Sequence, residues 1–143
     1  MSSNFEIFVV DDNSADIRIL KDFSPPTFGG CHFSVSLDGE DAINYVRARG
    51  KHSQRPMPDV VILYLNLPRK SGTEVLAEIR SNPTWSKIPV VVLSGSDDPK
   101  DKANCLSLGA NSFVTKPSSL EGLQTLFAVI QEYVTSEALQ SVK

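Results

Sequence analysis

Five positions in this chain could do chemistry together: the adjacent carboxylates Asp11 and Asp12, the residue at position 64, the hydroxyl of Ser94 and the amine of Lys116. A hard divalent cation takes oxygen ligands, and paired carboxylates are a start for Mg2+, which keeps several waters and binds phosphate oxygens alongside. The lysine would hold phosphate charge and the serine would donate to another oxygen, so catalysis by such a set is positioning and electrostatics. What completes the set is a carboxylate at 64 as the acceptor of a phosphoryl group. The residue there is Tyr64.

Taken singly, these signals are weak. An acidic pair after a strand most often serves a helix N-terminus, where negative charge favours the macrodipole. Ser94, in the run Ser-Gly-Ser-Asp-Asp, reads as a turn residue as readily as a ligand. Lys116 before Pro117, between a strand end and a capped helix, is less usual. The order in which all of them occur is what is specific.

The elements that must position them alternate between apolar runs of strand length and stretches of helical period, the pattern of a parallel sheet with helices on both faces. The predicted strands are Phe5 to Val10, His32 to Leu37, Val60 to Leu65, Val90 to Leu93 and Ser112 to Thr115. The middle ones are continuously apolar, as covered sheet faces require. Ile17, Leu20 and Phe23 mark the first helix, Ala42, Ile43, Tyr45 and Val46 the second, and Val75, Leu76 and Ile79 the third, which stops before Pro83. The fourth runs from Pro99 to a left-handed cap at Gly109. Ala103, Leu106 and Leu108 are its core candidates, and so thin an apolar face suits a partner-facing element. The fifth opens with Ser118 and Glu121 at capping-box spacing and continues through Leu123, Leu126, Phe127, Ile130 and Val134. That stripe reads either as an ordinary core face or as a dimer surface formed with a second copy. Arg47 to Pro58 is a surface loop. The fold class is therefore α/β, a doubly wound five-stranded parallel sheet in flavodoxin-like order 2-1-3-4-5, whose ligands lie outside the carboxyl ends of the strands at the switch point. Asp11, Asp12, Tyr64, Ser94 and Lys116 all fall at such ends.

At 143 residues the chain has the length of one domain, able to bury about two-thirds of the surface its unfolded form would expose. A formal charge of -3, with 41% hydrophobic and 22% charged residues, offers no basic field for nucleic acid. No stretch reaches the roughly 18 apolar residues of a membrane span and the start lacks a signal-peptide pattern, so a cytoplasmic location with no membrane partner is expected. Cys31 and Cys105 lack metal-like spacing and read as reduced, buried thiols.

Over nearly its whole length the chain resembles a receiver domain of two-component response regulators. Asp11-Asp12 resembles the family's metal-binding acidic pair, Leu-Asn-Leu-Pro with Gly72 its third-strand signature, Ser94 its switch hydroxyl and Lys116-Pro117 its lysine and following proline. The resemblance implies that Phe113 is the aromatic that swings inward on activation, that the Asn66 backbone carbonyl completes the metal site, and that the Lys116-Pro117 peptide is cis. More narrowly, the stretches from Leu65 to Arg80, Ile88 to Ser94 and Leu108 to Pro117 are similar to the single-domain response regulators that partner bacterial phytochromes. That similarity implies a sensor histidine kinase as partner, a phytochrome among the candidates, and a homodimer through the fourth and fifth helices and the fifth strand. It further implies a chain that is not itself an enzyme, has no output domain, and acts by binding another protein.

Position 64 is the family's acceptor aspartate. A phenol cannot form the acyl phosphate that a carboxylate takes from phosphohistidine, and its ordinary pKa near 10 leaves it neutral, so phosphate acceptance is expected to be lost. Mg2+ should bind weakly or not at all, since one of three negative charges is gone. Retention of Asp11, Asp12, Ser94 and Lys116 favours recent or deliberate loss over an old degenerate site. One alternative of the same class is a phosphorylation-independent adaptor. A haloacid-dehalogenase-type phosphotransferase would need Asp-x-Asp with a following Gly and Thr, whereas this chain has Asp-Asp-Asn-Ser-Ala-Asp. A flavin carrier would need a neutral Ser/Thr/Gly loop for phosphate where this one is acidic.

Overall fold

The computed structural model describes residues 5–25, 31–96 and 98–142, with side chains as far as residue 133. Strands and helices alternate along the chain: β1 Glu6–Val10, α1 Ser14–Asp22, β2 His32–Ser36, α2 Gly39–Val46, β3 Val60–Tyr64, α3 Gly72–Ser81, β4 Val90–Ser94, α4 Pro99–Ser107, β5 Ser112–Thr115 and α5 Leu120–Val142. The five strands are parallel in the expected order β2-β1-β3-β4-β5. The chain reverses direction of winding between β1 and β3, which opens the crevice for a site.

Each sheet face has its own core. Phe8, Val10, Val61, Leu63, Val90 and Val92 point to one side and pack with buried residues of α2, α3 and α4. Ile7, Val9, Val60, Ile62, Val91 and Leu93 point to the other and pack with α1 and α5. Strand residues alternate between the two clusters, and that is why the central strands read as uninterrupted apolar runs.

Local chemistry sets the helix ends. Asn13 caps α1 by accepting from the N–H groups of Ala15 and Asp16. Ser71 and Glu74 form a reciprocal capping box at α3. Gly72 stands where a Cβ would lie 2.7 Å from the Tyr64 carbonyl oxygen, so the turn after β3 can close tightly only without a side chain. At the end of α4, Gly109 takes the left-handed φ of 106° expected of it.

Several expectations are corrected. Phe23 is 56% exposed because it lies past the last turn of α1, at the cap, and leaves Ile17 and Leu20 to face the sheet. On α4 the leucines also miss the core: Leu106 is 43% and Leu108 37% exposed, Ala103 is exposed, and Cys105 is the buried residue. A short helix at the sheet edge covers it along a single line of side chains, and the leucines stand to either side of that line. The fifth helix is capped by Ser119, whose hydroxyl accepts from Gly122 N–H at 3.1 Å, so the pairing of Ser118 with Glu121 is not used. Leu123, Leu126, Phe127 and Ile130 are buried within the chain, and Val134 falls outside the described side chains.

The loop from Arg47 to Pro58 is surface-lying yet firmly held. It contains a 3-10 turn, Gly50–His52. Arg55 donates to the Tyr45 and Val46 carbonyls at the end of α2, where a cation complements the helix terminus. His52 Nε2 lies 2.8 Å from Asp41 Oδ1. Both cysteines are free, and burial pushes both thiols up.

Candidate functional site

The carboxyl ends of β1, β3, β4 and β5 meet at one edge of the molecule because the ladder places Val10 beside Leu63, Tyr64 beside Leu93 and Ser94 beside Thr115. Each chemically interesting residue sits at or just past these ends. Lys116 N–H donates to the Ser94 carbonyl at 2.7 Å, which carries the β4-β5 ladder one residue further and delivers Lys116 to the site.

Three of the sequence-predicted residues are brought into contact. Lys116 Nζ lies 3.1 Å from Asp11 Oδ2 and 3.3 Å from Asp11 Oδ1, and it stands 3.7 Å above the centre of the Tyr64 ring. That is a close cation-π arrangement. Ser94 is buried at the neighbouring strand end, and its hydroxyl accepts from Ser96 N–H at 3.1 Å, the turn role that its sequence context suggested. The Tyr64 hydroxyl reaches toward Gly95, where a Cβ would stand 3.5 Å from it. Asp12 and Asn66 are exposed at the same end of the sheet. Phe113 is half-buried and packs against the core on the α2, α3 and α4 side.

One participant was missed. Asp16, in the first turn of α1, holds Lys116 Nζ at 2.7 Å, closer than Asp11 does. Its signal was present in the run Asp-Asp-Asn-Ser-Ala-Asp, where an acid in the first helical turn sits one turn beyond a strand-end pair. No role was assigned to that acid from the sequence, because nothing local links it to a lysine 100 residues away.

Asp11 is the most buried member. One oxygen accepts from Asn13 N–H at 3.0 Å, while Oδ2 has the ion contact to Lys116 without a hydrogen bond. Burial pushes its carboxyl above the usual carboxylate range, against the Asn13 N–H and the lysine, which both favour its charged form. Burial also works against the charge of Lys116, but the Asp16 and Asp11 carboxylates outweigh it and hold the amine above its ordinary value. Lys116 thus contributes stability that is complete below its unfolded pKa and is lost as pH rises through the folded value.

Removing the lysine tests this balance. Lys116→Met is expected to cost about 1.5–3 kcal/mol near neutral pH, the range for charge-assisted hydrogen bonds. A carboxyl with a raised folded pKa favours folding below its unfolded value and loses that contribution as pH rises. The cost should therefore shrink in acid, because burial makes Asp11 take up its proton at a higher pH than an ordinary carboxylate. Urea denaturation of both chains at the two pH values measures it, and an equal cost in acid would show that the Asp11 charge is not its source.

For a divalent cation, the donor types are suitable and the donor set is short. The orphaned Oδ2 of Asp11 and the carboxylate of Asp12 are hard oxygen ligands. Lys116 already lies against Asp11, the phenol of Tyr64 brings no charge, and among the described residues no group of three His, Cys, Asp or Glu is arranged to hold a metal. The residues fit such an ion only in part. The expected cis peptide is also corrected: no described peptide bond is cis, so Lys116-Pro117 is trans. Trans is the lower-energy form of an X-Pro bond, and the lysine reaches both carboxylates from it.

A cavity of about 390 Å³ opens between α1 and α5 beside these groups, lined by Asp11, Asp16 and Lys116 together with the apolar Leu20, Phe23 and Leu120. Among the described residues no helix is long and apolar enough to cross a membrane.

Comparison with known proteins agrees with this geometry. The family pattern described as response regulator receiver domain matches residues 7–128. Response regulator Rcp1 of Synechocystis sp. is 33% identical over 127 residues, 89% of this chain and 86% of that protein. The crystal structure of the phosphorylated cyanobacterial phytochrome response regulator RcpA superposes with a TM-score of 0.82 at 39% identity, covering 92% of this chain and 94% of that one. The Mn(2+)-bound form of Rcp1 gives 0.75 at 32% identity over 89% and 91% of the two chains.

Proposed function

The chain belongs to the response regulator receiver domain family of two-component systems, and from that membership we propose that it works as a single receiver whose site has lost phosphate acceptance through Tyr64. Its relatives Rcp1 and RcpA are response regulators, and RcpA is named for a phytochrome. On this reading the partner upstream is a sensor histidine kinase, phytochrome-linked, and the output is binding to another protein rather than catalysis or contact with nucleic acid. The observation that carries the reading is the Lys116 ammonium seated 3.7 Å over the ring of Tyr64 at the end of β3. In a working receiver that lysine would face a carboxylate and the phosphoryl group bound to it.

Two surfaces support the partners. Ile19, Phe23 and Leu120 are exposed apolar side chains around the cavity that opens on Lys116, a rim suited to an apolar helical face of a kinase. Leu106 and Leu108, exposed on and after α4, give the homodimer through α4, β5 and α5 an apolar contact that the buried stripe of α5 does not supply. Asp11, Asp12 and the Asn66 carbonyl would hold a divalent cation, whose role when bound is to neutralise phosphoryl oxygens. With no carboxylate at 64 its hold is weak.

The test incubates the purified chain and a Tyr64→Asp variant with acetyl phosphate and Mg2+ and compares intact masses. A phosphoryl adduct is expected on the variant alone. An adduct on the natural sequence, mapped to Asp11 or Asp12, would show that a neighbouring carboxylate substitutes and would overturn the reading.

A further inference from the structure

We infer that Asp16 and Tyr64 are positioning residues for Lys116: the first turn of α1 and the ring at the end of β3 grip the ammonium between them, and so tie α1 to the β5-α5 turn. The inference rests on Tyr64 standing at the acceptor position, and it says what that side chain does there beyond removing an acid.

The grip has three sides. Asp16 Oδ2 lies 2.7 Å from Nζ, Asp11 Oδ2 3.1 Å, and the Tyr64 ring centre 3.7 Å. An ammonium has three donors and no acceptor, so two carboxylates and a π face surround it as counter-groups. The Lys116 side chain is only 18% exposed, and desolvation of the cation strengthens a cation-π contact. Asp16 is fixed in turn, because its own N–H donates to the Asn13 side chain that caps α1. Asn13 N–H donates to Asp11 Oδ1, which closes the circuit from α1 back to the lysine.

Two consequences follow from the chemistry. A tyrosine face is neutral, so it can hold the lysine without adding a third negative charge beside Asp11 and Asp16. A leucine at 64, apolar but without a π face, would leave the ammonium with no counter-group on that side. Asp16, for its part, is the nearest counter-charge to the lysine, at 2.7 Å. In a chain with aspartate restored at 64, Asp16 would compete with the phosphoryl group for the same cation.

The first test is spectroscopic and needs no activity. A methylene group next to a cation held over an aromatic face is shielded by the ring current, so the Lys116 ε-protons should resonate upfield of those of the other lysines. Tyr64→Phe should keep that shift and Tyr64→Leu should abolish it. Exchange of the Lys116 ammonium protons with water should quicken several-fold in Asp16→Asn. Unshifted ε-protons in the natural chain would overturn the role of Tyr64, and unchanged exchange would overturn that of Asp16. The natural-chain measurement stands whether or not a variant folds.

The second test is kinetic. With acetyl phosphate, the bond between phosphorus and the acetate oxygen breaks, acetate leaves with the electron pair, and an aspartate oxygen forms the acyl phosphate. The double variant Tyr64→Asp, Asp16→Asn should form this adduct several-fold faster than Tyr64→Asp alone. An equal or slower rate removes Asp16 as a competitor. Failure of the grip is thus distinguishable from failure of the proposed function, which shows instead as an adduct on the natural chain and leaves the ring-current result untouched.

Discussion

Replacing Tyr64 with aspartate is expected to tighten binding of Mg2+ or Mn2+ by at least about tenfold, or roughly 1.4 kcal/mol. The natural site offers Asp11, with one oxygen lacking a hydrogen bond, and the exposed Asp12. A third carboxylate adds a hard ligand and a unit charge at the same strand ends. Two unit charges about 4 Å apart interact by roughly 4 kcal/mol at an effective dielectric of 20, and more for a divalent ion, though desolvation and repulsion between the acids return much of it. The surplus is what the titration reads. Calorimetric titration of both chains measures it directly, and thermal unfolding should agree, since a cation that binds the folded state raises its stability by mass action. The variant's melting temperature should climb with Mg2+ over a range in which the natural chain's is flat. Equal affinities would mean that position 64 does not face the cation.

The largest loss of stability is expected from Trp85→Ala, at about 3–5 kcal/mol, the range for removing a large buried aromatic. Trp85 is fully buried between the end of α3 and the start of β4. Its ring meets Phe8 edge-on at 5.9 Å and Tyr45 at 6.1 Å, while Phe8 and Tyr45 stack at 4.1 Å. The Arg55 guanidinium lies 5.3 Å from its centre, so one indole joins β1, α2 and the long loop after α2. Total stabilities of such domains are about 5–15 kcal/mol, and the loss is a large share. Trp85→Phe should cost far less than the lost volume suggests, because Nε1 of Trp85 is buried without a hydrogen-bond partner. Removing an unsatisfied buried donor relieves about 1–3 kcal/mol. Urea melts of the three chains decide it: a Phe variant as unstable as the Ala variant would mean that the indole N–H is satisfied after all.

Much of the framework was legible because it is written in local or periodic signals. The runs Val60 to Leu63 and Val90 to Leu93 are apolar throughout since both sheet faces are covered, and the strand ends follow within a residue. Pro83, Pro99 and Gly109 bound their helices as backbone chemistry requires. Where expectation and structure part, the deciding factor is which way a helix faces. Phe23, Leu106 and Leu108 have the hydrophobicity of core residues and are exposed, whereas Trp85, which no periodic pattern marked, is fully buried and Cys105 is buried as a thiol of its kind should be. Ser118 and Ser119 are both sound capping residues, and only the path of the chain out of β5 selects the second.

The sequence by itself determined the alternating order of strands and helices, the set Asp11, Asp12, Ser94 and Lys116, and the phenol at 64, since periodicity, capping chemistry and residue identity are carried by neighbours along the chain. Tertiary structure alone decided what Lys116 touches. It is separated from Asp11 by 105 residues, and no local pattern states that its amine comes closest to Asp16 in the first turn of α1 and rests on the Tyr64 ring. Those contacts exist because the parallel register brings the ends of β1, β3 and β5 to one edge, and charge finds its partners there by distance through space.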